Sequence, residues 1–135
     1  MSGRYLLDTH VFLRMADPDQ RRSRTNDILQ DPDTELVLSV VTIAEIMIKN
    51  GIGKLPLPAA IERAPGSAIR QATIDAGFQW LSLEPEHVSL LRTLPLHHKD
   101  PFDRLLICQA MAENLILVSD DRAFPLYSGL SLLRS

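Results

Sequence analysis

The chain has 135 residues, 45% hydrophobic, 23% charged and 5% aromatic, with 17 acidic and 14 basic side chains and a net charge of −3. This suits a single domain spanning 1–135, large enough to bury a core without metal or disulfide staples. The lone Cys108 excludes an internal disulfide, and a pI near 5.7 argues against coating nucleic acid by bulk positive charge.

The first apolar run, Tyr5-Leu6-Leu7, ends at Asp8 and reads as a strand, too short for a secretory signal or a membrane span. A cytoplasmic protein is therefore expected. Thr9 to Ala16 has helical spacing closed by Asp17-Pro18, and Asp19 to Gln30 reads as a surface helix. Glu35 to Leu38 is expected to be a buried strand, leading through Ser39-Val40-Val41-Thr42 into a helical run from Ile43 to Lys49, stopped at Asn50-Gly51. Leu57 to Gly77 predicts two short helices broken at Pro65-Gly66, followed by a strand over Gln79 to Ser82 and a helix over Glu84 to Leu94. Pro101 to Asn114 is the clearest helix. Leu115 to Val118 is an apolar strand running into Ser119-Asp120-Asp121, and a last short strand is expected within Leu130 to Leu133. Strands that alternate with helices and are continuously apolar indicate an α/β fold with a parallel sheet covered on both faces.

In such sheets ligands bind beyond the carboxyl ends of the strands, which is where Asp8 and Asp121 fall. Asp8 also suits the N-cap of the following helix. Glu45 lies among apolar neighbours, where an ionised carboxylate is costly unless paired or bound to a cation, although Thr42-x-x-Glu45 also matches a capping box. Asp100 is placed to cap the Pro101 helix, and Asp103 in its first turn points a carboxylate toward the strand ends. Asp120 and Asp121 are adjacent, so one of them faces a site built by Asp8, and Asp121 is the better placed. Ser119 either caps a turn or orients a neighbouring carboxylate. Several carboxylates in one cleft raise each other's pKa, and a divalent cation with oxygen ligands, Mg²⁺ or Mn²⁺, resolves the conflict and serves phosphodiester hydrolysis.

Other chemistries are poorly supported. His97 and His98 are consecutive, His10 and His87 lie far from them, and solvated histidines are expected rather than a zinc set. Cys108 sits within a helical apolar run as a structural thiol, and no glycine-rich nucleotide loop is present. Lys49, Lys54, Lys99 and Arg104 adjoin the acidic segments and are candidates for a rim that meets phosphates.

Together, Leu6-Leu7-Asp8-Thr9-His10, Ala44-Glu45-Ile46 with Lys49 and Gly53-Lys54-Leu55-Pro56, His97-His98-Lys99-Asp100-Pro101-Phe102-Asp103-Arg104-Leu105-Leu106, and Val118-Ser119-Asp120-Asp121-Arg122-Ala123-Phe124 closely resemble the PIN-domain family, in particular its VapC-type toxins. The resemblance spans almost the whole chain in order. It implies a three-layer α/β/α sandwich, Mg²⁺ or Mn²⁺ held by Asp8, Glu45, Asp103 and Asp121, and RNA as the substrate. Thr9, Asp100, Ser119 and Asp120 become accessory positions, and a homodimer held inactive by a small cognate antitoxin is expected. Ala44 departs from the aromatic residue common before the Glu, and Asp120 leaves the fourth acidic position open between two neighbours. The alternatives within the family are a housekeeping RNA-processing nuclease and an inactive RNA- or protein-binding module. A haloacid-dehalogenase-type phosphatase is disfavoured by His10, which stands where its second Asp belongs.

Overall fold

The computed structural model describes residues 3–17, 27–53, 62 and 66–135. Within them, strands β1 (Arg4–Leu7), β2 (Glu35–Ser39), β3 (Gln79–Leu81), β4 (Ile116–Val118) and β5 (Leu132–Leu133) form one sheet. Its order is β3-β2-β1-β4-β5, and every neighbouring pair runs parallel. The helices that lie wholly among the described residues are α1 (Thr9–Ala16), α2 (Asp27–Gln30), α3 (Val40–Gly51), α4 (Ile69–Asp75), α5 (Pro85–Leu90) and α6 (Pro101–Ala112). Short 3₁₀ turns occupy Gly66–Ala68 and Phe124–Leu126.

The pleat of the strands explains the two-sided core. Leu6 of β1 pairs in register with Val37 and Leu117, and all three enter one apolar layer with Leu106 and Ile107 of α6. Their neighbours Tyr5, Leu7, Leu38 and Val118 point the other way, into a second layer with Phe12 of α1 and Ile46 of α3. Because side chains alternate between faces and both faces are buried, the strands read as unbroken apolar runs. This is the expected α/β/α architecture.

The differences from the sequence expectations lie at element ends. Helix α3 begins at Val40, three residues early, because the Ser39 hydroxyl accepts the Val41 N–H at 3.0 Å and caps it. Thr42 therefore lies inside the helix and the Thr42–Glu45 capping box does not form; the buried Thr42 hydroxyl has no hydrogen-bond partner. Helix α5 stops at Leu90, and Leu91, Arg92 and Thr93 continue in turns bonded three residues back. Helix α6 ends at Ala112, two residues early, with Asn114 at φ 54°, a left-handed conformation that Asn tolerates past a helix end. Of the helix expected over Asp19 to Gln30 only α2 lies among the described residues. The first of the two helices expected in Leu57 to Gly77 also lies outside them, save Glu62.

The strand order also makes the site. From β1 the chain builds outward to β2 and β3, then crosses to the opposite side of β1 for β4 and β5. The order reverses between β1 and β4, so a crevice opens beyond their carboxyl ends. Asp8 follows β1 and Ser119 follows β4, and the Asp8 N–H donates to the Val118 carbonyl at 3.1 Å, tying the two ends together. No helix among the described residues is long and apolar enough to cross a membrane.

Candidate active site

Asp8 is only 4% exposed. Its Oδ1 accepts the Val11 N–H at 2.8 Å, so it does cap α1, and the Ser119 hydroxyl also bonds its carboxyl. Burial nevertheless raises its pKa against these hydrogen bonds and the nearby His10 and Arg14. Ser119 combines both roles foreseen for it, since its Oγ also accepts the Asp121 N–H at 3.0 Å.

Glu45 is 2% exposed, on the inward side of α3. One carboxylate oxygen accepts from the Thr9 hydroxyl and the other pairs with Lys49, one helical turn on. The lysine stays charged more firmly than usual, first through its hydrogen bond to Glu45 and then through the charges of Glu45, Asp100 and Asp103. Lys49 thus belongs to the acidic cluster.

Asp100 caps α6, its Oδ1 accepting the N–H groups of Phe102 at 2.8 Å and Asp103 at 3.2 Å. This aims the first turn, and with it Asp103, into the crevice. Asp103 has the largest perturbation: burial first, then the negative charges of Asp100, Glu45 and Asp8, push its pKa up to about 7, while His98 opposes the rise. Carboxylates from β1's end, α3 and α6 therefore act on one another.

The adjacent pair after β4 divides. Asp120 turns away, accepting from Arg14 at 3.0 Å and from the Ser135 N–H at 3.1 Å and hydroxyl at 2.7 Å. Asp121 faces Asp103. Its Oδ1 accepts the Ala123 N–H at 2.8 Å, and its Oδ2 lies 3.0 Å from His98 Nε2. Burial would raise Asp121, but the hydrogen bonds from the Ala123 N–H and from His98 prevail and its pKa falls below the ordinary value.

His98 is the residue that sequence reasoning missed. Expected in solvent, it is instead drawn in: its Nε2 is 3.0 Å from Asp103 Oδ2 as well as from Asp121 Oδ2. Donor atoms of His98, Asp103 and Asp121 all lie within 4.8 Å of one another, the spacing of a metal-binding group. The available signal was its place two residues before the capping Asp100 in a loop, where helix-face spacing does not apply. His87, also expected in solvent, is 1% exposed, because its Nδ1 accepts the Glu84 N–H at 3.0 Å at the start of α5.

Of the four rim candidates, Lys49 is paired with Glu45, Lys54 lies outside the described residues and Lys99 is exposed. Arg104 donates to the carbonyls of Leu94, Pro95 and His98 at 3.0–3.3 Å, pinning the loop before α6. Cys108 is fully buried and its thiol pKa is raised by burial, as fits a structural thiol.

The PIN domain family model matches residues 5–130. The chain belongs to the PIN domain family. PIN domains are nucleases, and the family generally uses a divalent metal. Solved structures share this fold at low identity. A chain of VapBC2 from Rickettsia felis, bound to a promoter DNA fragment, is 17% identical with a TM-score of 0.65, the match covering 98% of each chain. VapBC-1 from nontypeable Haemophilus influenzae is 18% identical with a TM-score of 0.60 over 97% of each chain. VapBC-5 from Mycobacterium tuberculosis, a member of the VapBC family of toxin–antitoxin systems, is 17% identical with a TM-score of 0.55 over 99% of this chain and 98% of that one. Among curated proteins there is no significant match.

Proposed function

We propose that this PIN domain is a Mg²⁺- or Mn²⁺-dependent endoribonuclease of the VapC type, the cytoplasmic toxin of a type II toxin–antitoxin pair. The observation that carries the reading is the gathering of donor atoms of Asp103, Asp121 and His98 within 4.8 Å of one another, with buried Asp8 and Glu45 adding negative charge that, together with burial and Asp100, pushes the Asp103 carboxyl up to about 7. A buried cluster of this kind favours an added positive charge. Its donors are carboxylate oxygens, which suit Mg²⁺ or Mn²⁺ over softer metals.

Asp8, Glu45 and Asp103 are assigned to hold the cation, directly or through water. Asp121 completes the set and orients the water that attacks phosphorus. A divalent cation held there would lower the pKa of that water and would stabilise charge on the phosphoryl group and leaving oxygen. Thr9 and Lys49 fix Glu45, Ser119 links Asp8 to the Asp121 backbone, and Asp100 aims Asp103. Lys99, exposed beside Asp100, is assigned to meet an RNA phosphate; Arg104 supports the same rim through the loop it pins. The VapBC systems among the fold's neighbours support a small antitoxin as partner, and we extend the reading to a homodimer.

The test is RNA cleavage by the purified protein as Mn²⁺ is titrated in. Cleavage should require the metal and vanish on chelation. Asp8→Asn, which keeps an oxygen to cap α1, should fold and fail to cut; full activity in that variant, or cleavage indifferent to chelator, overturns the assignment.

A further inference from the structure

Among the residues around the acidic cluster, His98 is held on every side. Its backbone N–H donates to the Tyr127 hydroxyl at 2.9 Å and its carbonyl accepts from Arg104 at 3.3 Å. The ring packs against Phe124, centroids 5.4 Å apart, and its Nδ1 accepts the Asp100 N–H at 3.1 Å. That last bond decides the chemistry of the other nitrogen. A backbone N–H can donate only to a lone pair, so Nδ1 carries no hydrogen and the hydrogen of the neutral imidazole sits on Nε2. Nε2 is the atom 3.0 Å from both Asp103 Oδ2 and Asp121 Oδ2.

We propose that His98 is a positioning residue, whose Nε2–H draws the carboxylates of Asp103 and Asp121 together, and that it does not itself ligate the cation. The spacing of the three donor atoms would admit His98 as a ligand, but ligation through Nε2 needs a lone pair there. With Nδ1 already accepting, that ring would be an imidazolate. Asp103 sits on α6, whereas Asp121 sits on the exposed turn after β4, where like charge would drive it outward. The Nε2–H bonded to Asp121 Oδ2 also lies 3.0 Å from Asp103 Oδ2, so one donor nitrogen reaches both carboxylates, offsets that repulsion and sets the gap. The Asp100 N–H adds an economy of design: the residue that caps α6, and so aims Asp103, also fixes the tautomer that restrains Asp103 and Asp121.

This role rests on the metal-nuclease reading, and its test is separable from it. Nitrogen-15 NMR of the full chain at pH 8 reads the His98 tautomer with and without saturating Mg²⁺. The Nε2–H form is expected in both; conversion to the Nδ1–H form on adding Mg²⁺ overturns the proposal. Calorimetric titration with Mn²⁺ provides the second arm. His98→Phe should weaken binding about 10- to 100-fold, the usual cost of losing a partner that orients a ligand. His98→Gln, which keeps an N–H donor, should restore most of that loss. Equal losses in both variants, with unchanged thermal unfolding, make the imidazole a ligand and sink the proposal, as does unchanged affinity in His98→Phe. If no RNA is cut by any form while these binding results hold, the nuclease reading fails and the positioning role stands. Metal-dependent cleavage by a protein whose tautomer has switched gives the reverse.

Discussion

Two groups of polar side chains are set into the same apolar framework, and they are resolved in opposite ways. At the far side of α6, Gln109 accepts from the Ser39 hydroxyl and donates to the Ser82 carbonyl at 3.2 Å, with His87 Nδ1 3.4 Å away. His87 in turn accepts the Glu84 N–H, and its Nε2 lies 3.6 Å from Glu113. That network pairs donors with acceptors and joins β2, α5 and α6. Near the N-terminus of the same helix, Asp8, Glu45, Asp100 and Asp103 bring acceptors and negative charge, answered by Lys49 and His98. A satisfied network fixes a fold, while an unbalanced one marks a place where something else is meant to bind.

The sharpest way to separate the two is substitution in each. Asp8→Asn or Glu45→Gln should reduce metal-dependent cleavage at least about a hundredfold, at or beyond the upper range for partners that only orient ligands, with little change in thermal unfolding. Gln109→Leu should do the reverse: it leaves the Ser82 carbonyl without its donor, strands the Ser39 hydroxyl and costs about 2–4 kcal/mol of stability by denaturant unfolding. Metal affinity per folded molecule should hardly move. If Gln109→Leu abolished metal binding in a folded protein, the division between the two networks would fail.

Smaller effects sharpen the comparison further. Asp103 has a folded pKa raised from 3.8 to about 7, so the folded state holds a proton that the unfolded state releases. Its contribution is intact below the unfolded value and is lost as pH rises toward about 7. Asp103→Asn should therefore stabilise the chelated protein at pH 8, by about 1–2 kcal/mol after allowance for partial exposure, while removing metal-dependent activity. Equal stability of the two proteins from pH 5 to 8 would contradict the charge excess. Asp120→Asn, beside Asp121 but bonded to Arg14 and Ser135, should leave cleavage within about threefold and cost under about 1 kcal/mol.

Most of the framework was legible because each strand must bury both faces. Tyr5 to Leu7, Glu35 to Leu38 and Leu115 to Val118 could hardly be anything but inner strands of a parallel sheet, and the carboxylates just beyond them follow from that. Element ends were less legible, since they depend on caps. Val40-Val41 reads as part of the link between strand and helix until Ser39 is seen to accept the Val41 N–H. Within the site, sequence favoured Asp121 over Asp120, and what sets the two apart is the Arg14 and Ser135 contacts of Asp120, which join positions far apart in sequence. His98 was hidden for a similar reason: its environment is made by Phe124, Tyr127 and Asp121, more than 20 residues downstream. Periodicity reports which side of an element faces inward, and a loop side chain has none to report.

The most direct measurement is thermal unfolding of the wild-type protein and Asp103→Asn from pH 4 to 8, each in chelator and in saturating Mn²⁺. Wild type should lose stability relative to the variant as pH rises in chelator, and Mn²⁺ should reverse the loss only in wild type. Curves that differ by neither pH nor metal would mean that these carboxylates share no charge and hold no cation.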